Sequence, residues 1–178
     1  MIEGTLVNLR AREASDVERA YRWINDGEVT RFLTMRYPIS LAAEEVWMQR
    51  DVSSPVSFAD ARLAIETKDG LHIGFVNLHG TSPEDRRAWL GIMIGDKAYW
   101  SKGYGTDAMR TLLRFGFDEM NLHRIELTVH AGNERARACY RKCGFVDEVR
   151  LRQARYTRGE HVDVMVMGIL REEWEARR

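Results

Sequence analysis

The sequence predicts an α/β protein whose core is a mixed, twisted β-sheet with helices on both faces. Alternating apolar residues over 58–67 and 71–79, joined at Lys68-Asp69-Gly70, predict an antiparallel hairpin. Two later strand–loop–helix units, over 90–120 and 124–144, predict strands that are connected through helices. Antiparallel hairpins combined with such units give a mixed sheet.

The remaining elements have their own signals along the chain. Ser15-x-x-Glu18 is a capping box that predicts a helix to about Asn25, and Arg158-Gly159 predicts a late turn. A polar loop is predicted over 81–87. The expected order, about seven strands and four helices, is strand 5–12, helices 15–25 and 40–51, strands 58–67, 71–79 and 88–94, helix 107–120, strand 124–130, helix 134–143, and strands 147–156 and 161–170.

Composition limits the class of protein. The 178 residues suit one domain, 1–178, and carry 27 basic and 27 acidic side chains, so no net field attracts nucleic acid or an anionic membrane. No apolar stretch approaches the roughly 20 residues that span a bilayer, and the N-terminus lacks the pattern of a secretory signal. Cys139 and Cys143 lie one helical turn apart, which favours packing thiols in a reducing, cytoplasmic compartment. The five histidines lack metal-ligand spacing, so no metal is expected.

The most informative segment is the glycine loop over 99–106, which joins a strand to a helix. The first turn of a helix has free N–H groups and a positive dipole end, so it attracts anions. Gly103 and Gly105 allow close approach of a phosphate, and Lys102 adds a positive charge. The loop therefore predicts a site for a diphosphate.

A dinucleotide site is the alternative for this loop. Gly103-x-Gly105-x-x-Ala108 fits the pattern G-x-G-x-x-G/A, and Glu126 lies about 20 residues further on. However, Glu126 falls inside its strand, the preceding segments predict hairpins, and the spacer over 95–100 is too long for that tight turn. These features disfavour a nucleotide-dependent oxidoreductase.

A second motif lies between Asn133 and Phe145, and it reads N-x-x-A-x-x-x-Y-x-K-x-G-F. Together with the glycine loop, it resembles the GNAT superfamily of N-acetyltransferases, in particular its RimJ/RimL-like branch. The resemblance covers about Leu6 to Trp174 and implies the GNAT acyl-CoA N-acyltransferase fold. It also implies acetyl-CoA as cosubstrate and an amine as acceptor. With the composition above, no metal and neither nucleic acid nor a membrane is expected as a partner, and a homodimer is the candidate assembly.

The resemblance also implies the site residues. The cofactor-binding set comprises the backbone of the fourth strand, the glycine loop and two residues of the later motif: Ile92, Met93, Ile94, Trp100, Ser101, Lys102, Gly103, Tyr104, Gly105, Thr106, Asn133 and Tyr140. The fourth and fifth strands are expected to separate and admit the pantetheine arm between them. Tyr140 is expected to protonate the leaving thiolate, since a phenol with a pKa of about 10 is protonated at neutral pH.

The sequence lacks the carboxylates that usually act as general base in this family. Relatives that acetylate ribosomal alanine carry a glutamate at the position of Thr128, and many RimL-like chains carry one at the position of Trp89, so both usual carboxylates are missing. Glu126 and His130 share the strand face of Thr128, and either can relay a proton through water. Glu126 is the predicted catalytic carboxylate, with His130 or water alone as alternatives.

The acceptor wall is expected to be basic. The predicted substrate-binding residues are Phe32, Tyr37, Trp89 and Thr128. The wall combines residues 31–37 with a late hairpin that carries Arg150, Arg152 and Arg155. This charge favours an amine that bears an anionic group. The alternative functions are a spermidine acetyltransferase and an acyl-CoA sensor without turnover.

Overall fold

The computed structural model describes residues 1–53 and 60–177. Its strands are β1 (Ile2–Glu3), β2 (Val7–Ala11), β3 (Ala61–Thr67), β4 (His72–Ser82), β5 (Arg87–Ile94), β6 (Arg124–His130), β7 (Val146–Thr157) and β8 (Glu160–Leu170). Its α-helices are α1 (Val17–Ile24), α2 (Leu41–Ser53), α3 (Tyr104–Arg114), α4 (Glu134–Lys142) and α5 (Arg171–Glu175). The strands form one sheet in the order β1-β2-β3-β4-β5-β6-β8-β7. The predicted order of elements is confirmed, with β1 and α5 added.

The sheet is antiparallel except at its centre, where β5 and β6 run parallel. A parallel pair needs a crossover, and α3 provides it. β5 and β6 pair only over Arg87–Trp89 and Arg124–Glu126, and the strands then separate. The expected separation of these two strands is thus confirmed.

Helices pack on both faces of the sheet, as predicted. On one face, α3 buries Met109, Leu112 and Leu113 against alternate residues of β5 and β6 such as Leu90 and Leu127. On the opposite face, α1 and α2 bury Trp23 and Met48 against Ala64 and Phe75. Side chains on one strand alternate between faces, so Trp89 and Thr128 belong to the α1–α2 side.

Two predicted helix starts are wrong. Ser15 lies inside a 3₁₀ turn (Ala14–Asp16), and the N–H of Glu13 donates to Asp16 Oδ2 at 2.9 Å, so the N-terminal cap is Glu13, two residues before Ser15. The helix predicted from residue 107 begins at Tyr104, because the left-handed Gly103 ends the loop there. The same helix ends in a π-helical turn, Phe115–Glu119. The other elements agree within a few residues, and Phe58, the predicted start of the second strand, lies outside the described residues.

His72 is a buried titratable group between the sheet and α1. Its side chain is 5% exposed, and its ring meets Trp23 and Phe75 with centroid distances of 4.9 and 4.7 Å. Nε2 lies 3.0 Å from the carbonyl oxygen of Gly74, and Nδ1 lies 3.2 Å from Asp16 Oδ1. Burial lowers the pKa of His72 from 6.5 to about 4, although the carboxylate of Asp16 opposes that shift.

The free energy of unfolding is therefore expected to decrease as the pH falls from 6.5 toward 4. In this interval the unfolded chain binds a proton at His72 and the folded chain does not, which costs about 3 kcal/mol in total. His72→Gln should flatten this part of the profile in urea titrations at several pH values. The exposed His79 is the control, because His79→Gln should leave the slope unchanged. An equal slope in wild type and His72→Gln would contradict the assignment.

Candidate active site

The separation of β5 and β6 leaves one edge of β5 without a strand partner. Ile92, Met93 and Ile94 pair with β4 on their other edge, opposite Val76, Phe75 and Gly74. Within the described residues, β6 does not pair with them. Apart from the Ile94 carbonyl, which accepts from the Trp100 indole, the outward N–H and C=O groups of this edge are therefore free to bond with an extended ligand as a further strand would.

The glycine loop is attached to the end of β5. The indole Nε1 of Trp100 donates to the carbonyl oxygen of Ile94 at 2.7 Å. Ser101 and Gly103 have φ values of +59° and +91°, so the chain reverses through left-handed backbone before α3. A Cβ at Gly103 would lie 3.4 Å from Leu6 Cδ1, but the positive φ is the stronger reason for glycine here.

The N-terminus of α3 is free to bind an anion. Asp107 N–H bonds to Gly103 O at 2.9 Å, so the N–H groups of Tyr104, Gly105 and Thr106 precede the first intrahelical bond. The Asp107 carboxylate accepts from the N–H groups of residues 5–7, at 2.7 Å for Leu6, so its oxygens are bonded to the backbone that leads into β2. Lys102 is exposed at the same loop. The positive end of the helix is therefore available to a diphosphate.

Arg135 is a second cation at this loop, and sequence reasoning missed it. Its guanidinium carbon lies 3.9 Å from the centroid of the Trp100 ring. Arg135 is in the first turn of α4, two residues after Asn133. The contact joins residues 35 positions apart, so no local sequence pattern predicts it. The one sequence signal for Arg135 is its position close to the motif asparagine, Asn133.

Asn133 is the N-terminal cap of helix α4, and Tyr140 lies in the second half of that helix. The Asn133 side chain accepts from the N–H of Ala136 at 3.3 Å, so the predicted helix cap is confirmed. Tyr140 is half-buried, and its ring packs on Phe145 with a centroid distance of 6.2 Å. Burial raises the pKa of the Tyr140 phenol. The described residues offer its hydroxyl no hydrogen-bond partner, so this hydroxyl is a protonated donor available to a ligand.

The two cysteines connect α4 to α3 as free thiols. Cys139 Sγ lies 3.3 Å from Thr106 Oγ1, and Cys143 is buried near the Thr106 carbonyl. Thr106 is thus turned toward α4, and its side chain serves the packing of the two helices. Its backbone N–H still belongs to the free first turn of α3.

Three predicted residues meet at the closed end of the opening. Trp89 and Glu126 form the last paired position of β5 and β6, and Thr128 is the next residue of β6 on the same face. Trp89 is half-buried and Thr128 is exposed, so both are accessible from the α1–α2 side. The structure thus brings together two predicted acceptor residues from different strands.

Glu126 is buried at that end and is paired with arginines. Arg124 Nε donates to Glu126 Oε2 at 2.9 Å, and Arg87 Nη1 lies 3.7 Å from Oε1. Arg124 also holds Glu148, with Nη1 at 2.8 Å from Oε1. Charge-assisted contacts with guanidinium groups fix the position of such a carboxylate. Its contacts favour a structural role, and its predicted catalytic role stays a prediction.

His130 lies at the open end of β6. The side chain is 5% exposed, and the ring meets Phe32 edge-on with a centroid distance of 5.7 Å. Its Nε2 is buried without a hydrogen-bond partner in the described part of the chain. Burial, assisted by the charge of Arg155, lowers the pKa of His130, so the ring is neutral at pH 7.

A cavity of about 190 Å³ adjoins His130, and its lining comes from three segments of the chain. These are the 3₁₀ turn Thr30–Phe32, the end of β6 and the β7–β8 hairpin; the lining residues are Arg31, Phe32, His130, Gly132, Thr157, Arg158, Glu160 and Val162. Tyr37, by contrast, is 81% exposed and lies in a separate shallow groove formed by residues 34–39. Phe32 therefore lines the expected acceptor cavity, and Tyr37 does not line it.

The unpaired edge of β5 and the free N-terminus of α3, which follow each other along the chain, are the features of an acyl-CoA-dependent transferase. Comparison with known protein families assigns it more closely. Residues 7–146 match the family described as "Acetyltransferase (GNAT) domain". The chain belongs to the GNAT acetyltransferase family and is an acetyl-CoA-dependent N-acetyltransferase that acts on an amine.

Individual relatives agree with this assignment. The chain is 35% identical over 107 residues to "Putative ribosomal N-acetyltransferase YdaF" of Bacillus subtilis, which is 60% of this chain and 58% of the relative. It is 26% identical to "Spermidine N(1)-acetyltransferase" of Escherichia coli, over 96% of this chain and 89% of that enzyme. The crystal structure of spermidine N-acetyltransferase from Vibrio cholerae in complex with CoA and spermine matches with a TM-score of 0.85 and 26% identity, over 96% and 98% of the two chains.

Two further observations concern the described residues alone. No helix among them is long and apolar enough to cross a membrane. No group of three or more histidine, cysteine, aspartate or glutamate side chains among residues 1–53 and 60–177 could hold a metal ion.

Gly103→Glu is expected to abolish CoA binding, because it strains a left-handed position and places a negative charge where phosphate oxygens would approach. The measurement is CoA affinity by calorimetry on the folded variant. Gly70→Glu is the matched control, since Gly70 also has a positive φ, +82°, and no atom lies within 4 Å of an added Cβ. Wild-type affinity in Gly103→Glu would show that this loop does not bind the diphosphate.

Proposed function

We propose that the whole chain, residues 1–178, acts as one GNAT domain that transfers acetyl directly from acetyl-CoA to a primary amine in a ternary complex. The observation that carries this proposal is the separation of β5 and β6 after three residue pairs. The cofactor would enter from the α3 side and the amine from the α1–α2 side of the same opening. Direct transfer needs no covalent enzyme intermediate. The ternary complex would hold the amine nitrogen close to the thioester carbon that it attacks.

The cofactor contacts follow from the free groups at this opening. The backbone of Ile92, Met93 and Ile94 would bind the pantetheine arm, with one N–H donating to the thioester oxygen. The N–H groups of α3, with Lys102 and Arg135, would bind the diphosphate. Asn133 would contribute through the N-terminal end of α4, since its side chain caps that helix.

Tyr140 is the proposed acid for the leaving group. The amine nitrogen bonds to the acetyl carbon, the carbon–sulfur bond breaks, and the sulfur takes the phenolic proton. Burial raises the pKa of Tyr140, so the phenol is protonated at neutral pH and regains its proton readily. The amine loses one proton in the same reaction, and that proton balances the one delivered to sulfur.

The proposed acceptor of the amine's proton is His130, directly or through water. Its neutral Nε2 is buried without a partner among the described residues, and it lines the cavity on the acceptor side. Glu126, by comparison, is paired with Arg124 and Arg87. His130 Nε2 and Glu126 Oε1 are both buried without a hydrogen-bond partner in the described residues, but of the two side chains only His130 lines the cavity on the acceptor side.

Tyr140→Phe should lower kcat by about 10²-fold, the usual scale for loss of a general acid. The CoA dissociation constant and the melting temperature should stay near wild type, since the removed hydroxyl has no partner in the described residues. The measurement is single-turnover thiol release, so that chemistry limits the rate. An unchanged rate would restrict Tyr140 to packing against Phe145.

The proposed acceptor amine is an α-amine, such as a peptide N-terminus or an amino acid. At pH 7, deprotonating an amine with a pKa near 10.4 costs about 4.6 kcal/mol, and an α-amine near 7.8 costs about 1.1 kcal/mol. A site whose buried carboxylate is held by arginines suits the amine that loses its proton more easily. Spermidine is the second candidate, because the relatives from E. coli and V. cholerae carry that activity in their names.

The kcat/KM values at pH 7 for spermidine and for a set of amino acids and N-terminal peptides should separate these two candidates. We expect the best α-amine to exceed spermidine by at least about tenfold, or 1.4 kcal/mol of transition-state stabilisation. A tenfold preference for spermidine would make the chain a polyamine acetyltransferase. Release of no thiol with any amine would instead favour a CoA-binding sensor.

A cytoplasmic location and a homodimer belong to the same proposal. Cys139 and Cys143 are free thiols, and a reducing compartment preserves such thiols. The homodimer is the assembly that the resemblance implies.

A further inference from the structure

The walls of the cavity beside His130 carry an excess of positive charge. Arg31 and Arg158 line it directly, and Glu160 is the one carboxylate among its lining residues. The guanidinium of Arg31 lies over the Phe32 ring at 5.3 Å, and Arg158 donates to the carbonyl oxygen of Gly27 at 2.7 Å. Neither arginine has a carboxylate partner among residues 1–53 and 60–177.

Arg155 adds a partly buried charge beside this cavity, next to the lining residue Val162. It is paired with Val162 across β7 and β8, and its Nη2 donates to the carbonyl oxygen of Leu33 at 3.1 Å. No carboxylate in the described residues pairs with it. Burial, and then the charge of Arg36, lower the pKa of Arg155, so two like charges are close together there.

Arg150 on the same strand shows the contrasting arrangement. Its Nε donates to Asp163 Oδ2 at 2.6 Å, so a carboxylate of β8 neutralises it. Asp163 Oδ1 also accepts from the N–H of Gln153 at 2.8 Å. On β7, the charge of Arg150 is thus balanced by a carboxylate, whereas Arg155 is bonded only to a neutral carbonyl oxygen.

The buried face of the cavity also has an unused polar atom. His130 is 5% exposed, and its Nε2 has no hydrogen-bond partner in the described part of the chain. An unsatisfied buried nitrogen is destabilising unless a ligand or water forms a hydrogen bond with it. A polar ligand in this cavity therefore gains a contact with His130 as well as the charge of the arginines.

We propose that this cavity is an anion subsite for the acceptor, in which Arg31 and Arg158 of its lining, with Arg155 beside it, bind a carboxylate or phosphate of the molecule whose amine is acetylated. The guanidinium group suits this task because its fork matches the two oxygens of a carboxylate. His130 then lies beside the amine end of the same acceptor. The inference rests on the proposed function, and it assigns a substrate class that a polycation such as spermidine does not fit.

The test uses acetylated products as probes, since they carry no amine whose pKa could obscure the result. N-acetylalanine, its carboxamide and N-acetylethanolamine phosphate are titrated by calorimetry into the CoA-bound enzyme. We expect one of the two anions to bind at least tenfold more tightly than the carboxamide, and the better anion identifies the group that the subsite prefers. Equal affinity for all three, or binding of none, would overturn the proposal.

Two variants on one strand make the result specific. Arg155→Gln should remove the preference for the anion, whereas Arg150→Gln, which alters an already neutralised charge, should retain it. If Arg155→Gln does not fold, the exposed Arg31→Gln should reduce the preference at least threefold. An undiminished preference in the folded Arg155 variant would contradict the assignment of that residue.

Binding of these probes does not require turnover, so the two proposals fail independently. If no amine causes thiol release but the anions still bind selectively, the proposal of acetyl transfer is contradicted and the proposal of an anion subsite is supported. If α-amines are acetylated but both anions bind no more tightly than the carboxamide, the proposed function is supported and the proposed subsite is contradicted.

Discussion

The limited pairing of β5 with β6 is the constraint on which the site depends. Three residue pairs hold the two strands together, and beyond Trp89 and Glu126 each presents backbone groups to the gap. Buried backbone groups need partners, so a gap in the centre of a sheet is stable only where water or a ligand completes it. Ile94 is paired with Gly74 of β4 and accepts from the Trp100 indole, so both contacts hold the end of β5 in place at the gap.

The same gap separates the cofactor side from the acceptor side. The α3–α4 side offers a helix N-terminus, Lys102 and Arg135, which together suit a diphosphate. The α1–α2 side offers aromatic and basic groups around His130. Tyr140 belongs to α4, which begins at the end of β6 where the two sides meet. This arrangement explains how balanced overall charge is compatible with two locally basic surfaces.

Much of the fold could be predicted from local patterns. The bounds of β6, the Asn133 cap and the late hairpin agree with the expectations, because alternation and caps act over a few residues. The start of α3 was missed because helix propensity disfavours Gly105, whereas the left-handed Gly103 fixes the start of the helix at Tyr104. The contact of Arg135 with Trp100 was also missed, since it joins two separate motifs.

The sequence by itself determined the class of fold and the position of the diphosphate loop, since both depend on short patterns of glycine, apolar and capping residues. Only the tertiary structure decided which charges are free. Glu126 and Asp163 are paired with Arg124 and Arg150, whereas Arg155 lies beside a neutral carbonyl. Pairing of charges depends on which strands are neighbours and on the distance between side chains from remote segments, and a linear sequence does not specify either.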